Sequence, residues 1–296
     1  MPIPLQWIGL FAAGTVFVVM FALGLMLGRE QIAAALERRV VLVAVLFAVI
    51  VPIPALAVLF VKLAHPGPAI AAGIILMSIS PGAPVALRRA LEAGGDRHFA
   101  PALHLAIVLL AVLTVPASVV ILDWIFAAEF KVTPFDIGRQ VFFAQLLPLG
   151  LGATLRFWRP ALAETLEPRL AKIGNLLLIA LGAMALVNLP AIIGVIGWIP
   201  SIAGFVMTVV ALAFGAAFAG RDAEVRPAAA VAAAMRNPGL ALVIATLNRA
   251  APTVSAAIIG YAVGLAVAII IFLQWRKRVA AQPHNSQTTS SGGILK

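Results

Sequence analysis

AAMRNPGLAL, residues 233–242, sets an arginine, an asparagine and a Pro-Gly pair inside an apolar run long enough to cross a bilayer. A guanidinium at the bilayer centre costs about 2.5–3.5 kcal/mol on insertion scales, so Arg236 requires a wet or protein-lined surrounding. Pro238 removes a backbone donor and crowds the preceding turn, and Gly239 admits a non-helical conformation. The stretch reads as two half-helices meeting at mid-membrane, which a bilayer tolerates only where the freed backbone groups line a cavity. Arg236, with Asn237 beside it, is the candidate centre of function.

The chain around it has the composition of a polytopic membrane protein. It is 63% hydrophobic and 11% charged, with a mean hydropathy of +1.10; soluble domains carry about a quarter charged residues. Cysteine is absent, which excludes disulfides, thiolate metal sites and cysteine nucleophiles. His65, His98, His104 and His284 have no metal-ligand spacing, and no cofactor is expected. The net charge of +10 does not mark a nucleic-acid binder, because the basic residues stand singly between apolar runs. Of the 21 Lys and Arg residues, all but Lys62, Lys131, Arg139, Arg249 and the intramembrane Arg236 fall on one side of the expected spans. The positive-inside rule then places the N-terminus outside and the C-terminus in the cytoplasm. The Ala- and Arg-rich, Lys-poor makeup suits a bacterial inner membrane. The opening MPIPLQWIGLFAAGTVFVVM has no basic leader region and is expected to be a retained span.

Nine all-helical spans are expected from runs of about 20 apolar residues. They are Trp7–Leu27, Val40–Val61, a broken third from Pro68, Phe99–Leu122, a short Arg139–Leu155, two spans divided by GWIPS (197–201), the broken Pro227–Leu247, and Pro252–Gln274. GREQIAAALERR (28–39) reads as a charged turn. The third span carries Pro81-Gly82 as the eighth carries Pro238-Gly239, and the two run in opposite directions. Corresponding broken helices of opposite orientation indicate inverted repeats. The first would cover 1–126 with four spans, the second 138–275 with five, leaving 276–296 as a disordered cytoplasmic tail.

Three stretches resemble the bile acid:sodium symporter family: FALGLMLGREQI (21–32), PGAPVALRRALEAGGD (81–96) and AAMRNPGLALVIA (233–245). The resemblance implies a ten-helix fold, here lacking its first helix, with a core and a panel domain and substrate bound between them beside two crossing helices. It also implies two sodium sites, and by motif spacing their ligands would fall at Ala86, Leu87, His104, Val108 and Ala232, with Arg236 and Val49 at the second. Sodium takes oxygen ligands, which methyl and isobutyl groups cannot supply. A sodium ion about 4 Å from Arg236 would be repelled by roughly 4 kcal/mol at an effective dielectric of 20. Sodium is therefore not expected to bind as it does in that family.

The substrate-binding candidates are Arg236, Asn237, His104 and Ser80; Pro81, Gly82, Pro238 and Gly239 are the breaks of the crossing helices. Arg236 is read as a tethered cation that meets an anionic substrate, against a structural role capping half-helix carbonyls. His104 is read either as a proton carrier or as a neutral histidine bonded between helices. Arg88, Arg89 and Asp96 set topology or form a gate; Gln145, Asn175 and Asn188 are interhelical hydrogen-bond partners. The expected function is alternating-access transport of a small organic anion, facilitated or proton-linked. The rivals are sodium symport through non-standard ligands, a non-transporting sensor or subunit, and an intramembrane enzyme, for which no carboxylate pair or Ser-His dyad lies at membrane depth.

Overall fold

The computed structural model describes residues 5–126 and 133–281, and every regular element among them is helical. Lys131 and residues 282–296 of the expected tail lie outside the described residues, as does the side chain of Asn188. Five helical stretches are long and apolar enough to cross a membrane: Arg39–Ala64, Phe99–Leu122, Phe135–Trp158, Ile199–Phe218 and Pro252–Val279. They turn large apolar side chains outward, with Leu63, Leu113 and Ile202 at 73%, 70% and 60% exposure. Hydrocarbon, not water, is the solvent such faces suit. The chain is an all-α polytopic membrane protein.

The first helix, α1 (Leu5–Leu25), is followed by α2 (Arg29–Glu37), which is bent 81° from its Ala13–Leu25 part. The expected charged turn is thus a helix. Gln31 Oε1 accepts the Gly28 N–H at 2.7 Å, which closes its first turn, and Ala33, Ala34 and Ala35 favour continuation. Its Ile32 and Leu36 are exposed beside charged residues, the pattern of an interfacial segment. The next span is kinked between α3 (Arg39–Ile50) and α4 (Pro52–Ala64), where Pro52 and Pro54 bring no N–H.

The first broken segment comprises α5 (Pro68–Ser78) and α6 (Ala86–Glu92), and leads into α7 (Phe99–Phe126). The span after it begins earlier than expected, as α8 (Pro134–Val141), a π turn (Phe142–Leu146) and α9 (Leu147–Trp158). Residue 138, the expected start of the second half, therefore falls inside α8. The 37-residue α10 (Pro160–Ile196) and then α11 (Ile199–Phe218) part at Gly197, as GWIPS foretold. The second broken segment is α12 (Val225–Ala234) and α13 (Pro238–Leu247), and α14 (Pro252–Ala281) continues past the expected tail boundary at 276.

Two helix pairs pack through reciprocal glycines. On α1 and α9, Gly24 and Gly152 face each other's backbones; on α11 and α14, Gly204 abuts Tyr261 and Gly264 abuts Ser201. Such contacts let backbones approach where lipid supplies no hydrophobic drive between helices.

At one end of the bundle a single arginine ties both broken segments to their neighbours. Asp96 Oδ1 accepts the N–H groups of His98 and Phe99 at 2.7 and 2.6 Å and so caps α7, while Oδ2 accepts from Arg38 at 3.0 Å. Asp222 caps α12 in the same way through Glu224 and Val225, and lies 3.8 Å from Arg38. Arg88 and Arg89 instead pair with Glu92 on their own helix. Burial pushes the Asp96 carboxyl up, but the Phe99 and His98 amides and the Arg38 guanidinium outweigh it and hold it below its ordinary 3.8. Asp96→Ala is expected to cost about 1–2 kcal/mol as a lower Tm, and Asp96→Asn, which keeps a cap, about half of that. A depressed carboxyl stabilises above the unfolded value and loses that contribution as pH falls through the folded one. The Tm gap between wild type and Asp96→Asn should therefore close in acid, below pH 3.8.

Candidate functional site

The two broken segments meet at their breaks. In the first, Ser80 donates its hydroxyl to Leu76 O at 2.7 Å, Pro81 offers no donor, and Gly82 takes φ +76°. A side chain at Gly82 would be strained, and its Cβ would stand 3.3 Å from Val108 and 3.5 Å from Gln145 Oε1. In the second, the break falls earlier than expected. Proline drives its predecessor out of the helical region, so Asn237 is extended (φ −98°, ψ 95°) and Pro238 starts α13. Gly239, expected to form the break, instead sits in the first turn of α13. Asn237 caps that helix by accepting the Leu240 N–H at 3.1 Å.

Asn237 N–H donates to Ser80 O at 2.7 Å, and Pro81 pairs with Arg236 in an isolated antiparallel bridge. The pairing satisfies backbone groups that each break frees. It also places Arg236, 1% exposed, at the junction. One guanidinium nitrogen donates to Val49 O at 3.0 Å and to Ala233 O at 2.9 Å. Val49 stands at the Pro52/Pro54 kink, and Ala233 is in the last turn of α12, where carbonyls lack helical partners. Arg236 thus ties three interruptions together, the structural role weighed against the functional one. Its Nε has no hydrogen-bond partner, and no ion pair among the described residues includes it.

A small cavity of about 10 Å³, bounded by Val49, Ser78, Pro81, Thr114, Ser118 and Arg236, adjoins the junction. That is room for about one water. Ser80, Asn237 and His104 do not line it. His104 is buried on α7 at 4% exposure, and its Nε2 has no partner. Val49, Ala86, Leu87, Val108 and Ala232, where the resemblance implies sodium ligands, are buried and carry no side-chain oxygen. Among the described residues no group of three or more His, Asp or Glu could hold a metal ion.

Three residues at or near the site were not foreseen as part of it. Thr114 and Ser118 line the cavity, and their spacing in TVPAS (114–118) could have shown it, since positions i and i+4 share a helix face. Tyr261 of α14, the only tyrosine, is buried against Gly204 of α11. Gln145 is 1% exposed, and its Oε1 stands without a partner beside the first break instead of bonding between helices. The π turn that carries it is a frequent mark of functional positions.

No curated protein matches the sequence. The profile of the Sodium Bile acid symporter family matches residues 14–198, more than half of the chain. The matched stretch takes in the first broken segment and ends before the second, which the structure joins to it. A polytopic helical membrane protein with that match over most of its length belongs to the sodium bile acid symporter family.

Proposed function

We propose that the protein is a secondary transporter of small organic anions, working by alternating access without the sodium sites of its family. The observation that carries this reading is the buried guanidinium of Arg236, which no carboxylate neutralises among the described residues. A fixed cation there supplies the charge that a bound sodium would otherwise bring. The same charge repels a sodium ion at about 4 Å by roughly 4 kcal/mol, about a thousandfold in affinity.

On this reading the architecture is nine spans in inverted repeats of four and five, with core and panel domains, the N-terminus outside and the C-terminus in the cytoplasm of a bacterial inner membrane. The cavity of about 10 Å³ is too small for a whole organic molecule. Cargo therefore requires the elements around the junction to part, which alternating access provides. Asn237 and His104 meet the cargo when they do, whereas Ser80, its hydroxyl bound to Leu76 O, serves the break. Transport is facilitated or coupled to protons through His104.

Uptake of a labelled bile acid and of a small carboxylate into proteoliposomes tests this. Equal initial rates in sodium and in potassium are expected. Rates that require a sodium gradient would make the protein a sodium symporter through ligands other than the family's. Binding in detergent with no flux would make it a sensor.

A further inference from the structure

Hydroxyls buried in helices ordinarily bond back to the carbonyl four residues earlier, which satisfies them where no water reaches. Thr15, Ser80 and Thr208 do so here, at 2.6–2.8 Å, whereas the buried Ser201 hydroxyl of α11 has no partner. Thr114 and Ser118, both half-buried, do not: neither hydroxyl forms a hydrogen bond among the described residues, and both line the cavity beside Arg236. They stand four residues apart on α7, either side of Pro116, so both face the same way.

What the cavity offers a guest is lopsided. Arg236 brings a positive charge and an Nε–H without a partner, and Thr114 and Ser118 bring two O–H groups free to turn inward. The acceptors are all neutral: Ser78 Oγ and backbone carbonyls, of which Val49 O already takes a guanidinium bond and Ile50 O has its helical donor removed by Pro54, and no Asp or Glu lines the space. Ser78 gives its proton to Ile75 O at 2.7 Å. Donors around a positive charge suit an anion and exclude a cation. The volume of about 10 Å³ admits one small ion or the end of a larger one.

We propose that Thr114, Ser118 and Arg236 form a site for one monovalent anion, either free chloride or the carboxylate head of the carried molecule. The inference rests on the reading of Arg236 as the cation that meets the anion, and it adds two hydroxyls of α7 as the groups that select it.

The test uses the full chain in detergent and two probes, sodium chloride followed by chlorine NMR linewidth and sodium acetate followed by carbon NMR linewidth. Broadening by chloride assigns the free ion; broadening by acetate alone assigns the carboxylate head. In either case Thr114→Val with Ser118→Ala, which preserve shape and leave the Arg236 bonds intact, should raise the midpoint about tenfold for each hydroxyl lost. Unchanged midpoints in the double variant, or no broadening of either probe by folded wild type, would overturn the proposal. If proteoliposome uptake then persists, the transporter reading stands without it. If both probes bind through the hydroxyls while no anion is transported, the site stands and the transporter reading falls.

Discussion

Gly264→Val is expected to cost more than about 3 kcal/mol and to leave little folded protein, because the overpacked atoms are backbone and cannot repack as side chains do. A Cβ at Gly264 would lie 2.7 Å from Phe205 N and 2.8 Å from the Ser201 carbonyl carbon. The α11 and α14 axes would have to separate, and the loss would spread. Across the same seam Gly204 meets the Tyr261 backbone, and α14 also packs on α5 through Gly73 and Ala257. The first broken segment, which packs on α14 through α5, would therefore shift, so residual protein should have altered transport as well as a lower Tm. Gly150→Ala is the control. Gly150 is exposed on α9 with nothing within 4 Å of an added Cβ, and there the higher helix propensity of alanine should stabilise by up to about 1 kcal/mol. Yield and thermal unfolding of both variants in detergent decide the matter. A stable Gly264→Val protein would mean that the α11–α14 seam is looser than its glycines imply.

The contrast between these glycines shows which features a sequence can express. Pro-Gly dipeptides and the absence of charge announced the broken segments and the spans, because both act through local chemistry. The α2 helix was hidden because charges at its ends masked the alanines between them. The misplaced break at Gly239 came from crediting glycine with a freedom that Pro238 had already made unnecessary by acting on Asn237. Nothing local announces that Arg236 reaches Val49, 187 residues away, because that bond depends on where the kink between α3 and α4 sets a carbonyl of another span. The hydroxyls of TVPAS and the amide of Gln145 are likewise ordinary polar residues until the fold sets them at the cavity and beside the first break.

Arg236→Met should separate what the guanidinium does for the fold from what it does for an anion. Removing it strips Val49 O and Ala233 O of a donor, a loss of about 1–3 kcal/mol for each carbonyl left unsatisfied. It also removes a buried, unneutralised charge whose insertion costs about 2.5–3.5 kcal/mol. The two effects oppose each other, and the net change in stability should lie between a gain of about 1.5 and a loss of about 3.5 kcal/mol. Anion affinity has no such compensation. At about 4 Å and an effective dielectric of 20 the lost attraction is roughly 4 kcal/mol, close to a thousandfold. Arg236→Lys gives the opposite mixture. Its compact ammonium keeps the charge but lacks the planar fork, so part of the transport should survive with a lower Tm. Measuring uptake and thermal unfolding for the two variants together tests the assignment. Arg236→Met with wild-type uptake and a markedly lower Tm would reduce the arginine to a backbone clasp. Loss of uptake in a variant that unfolds within a few degrees of wild type would place the anion's counter-charge on this side chain.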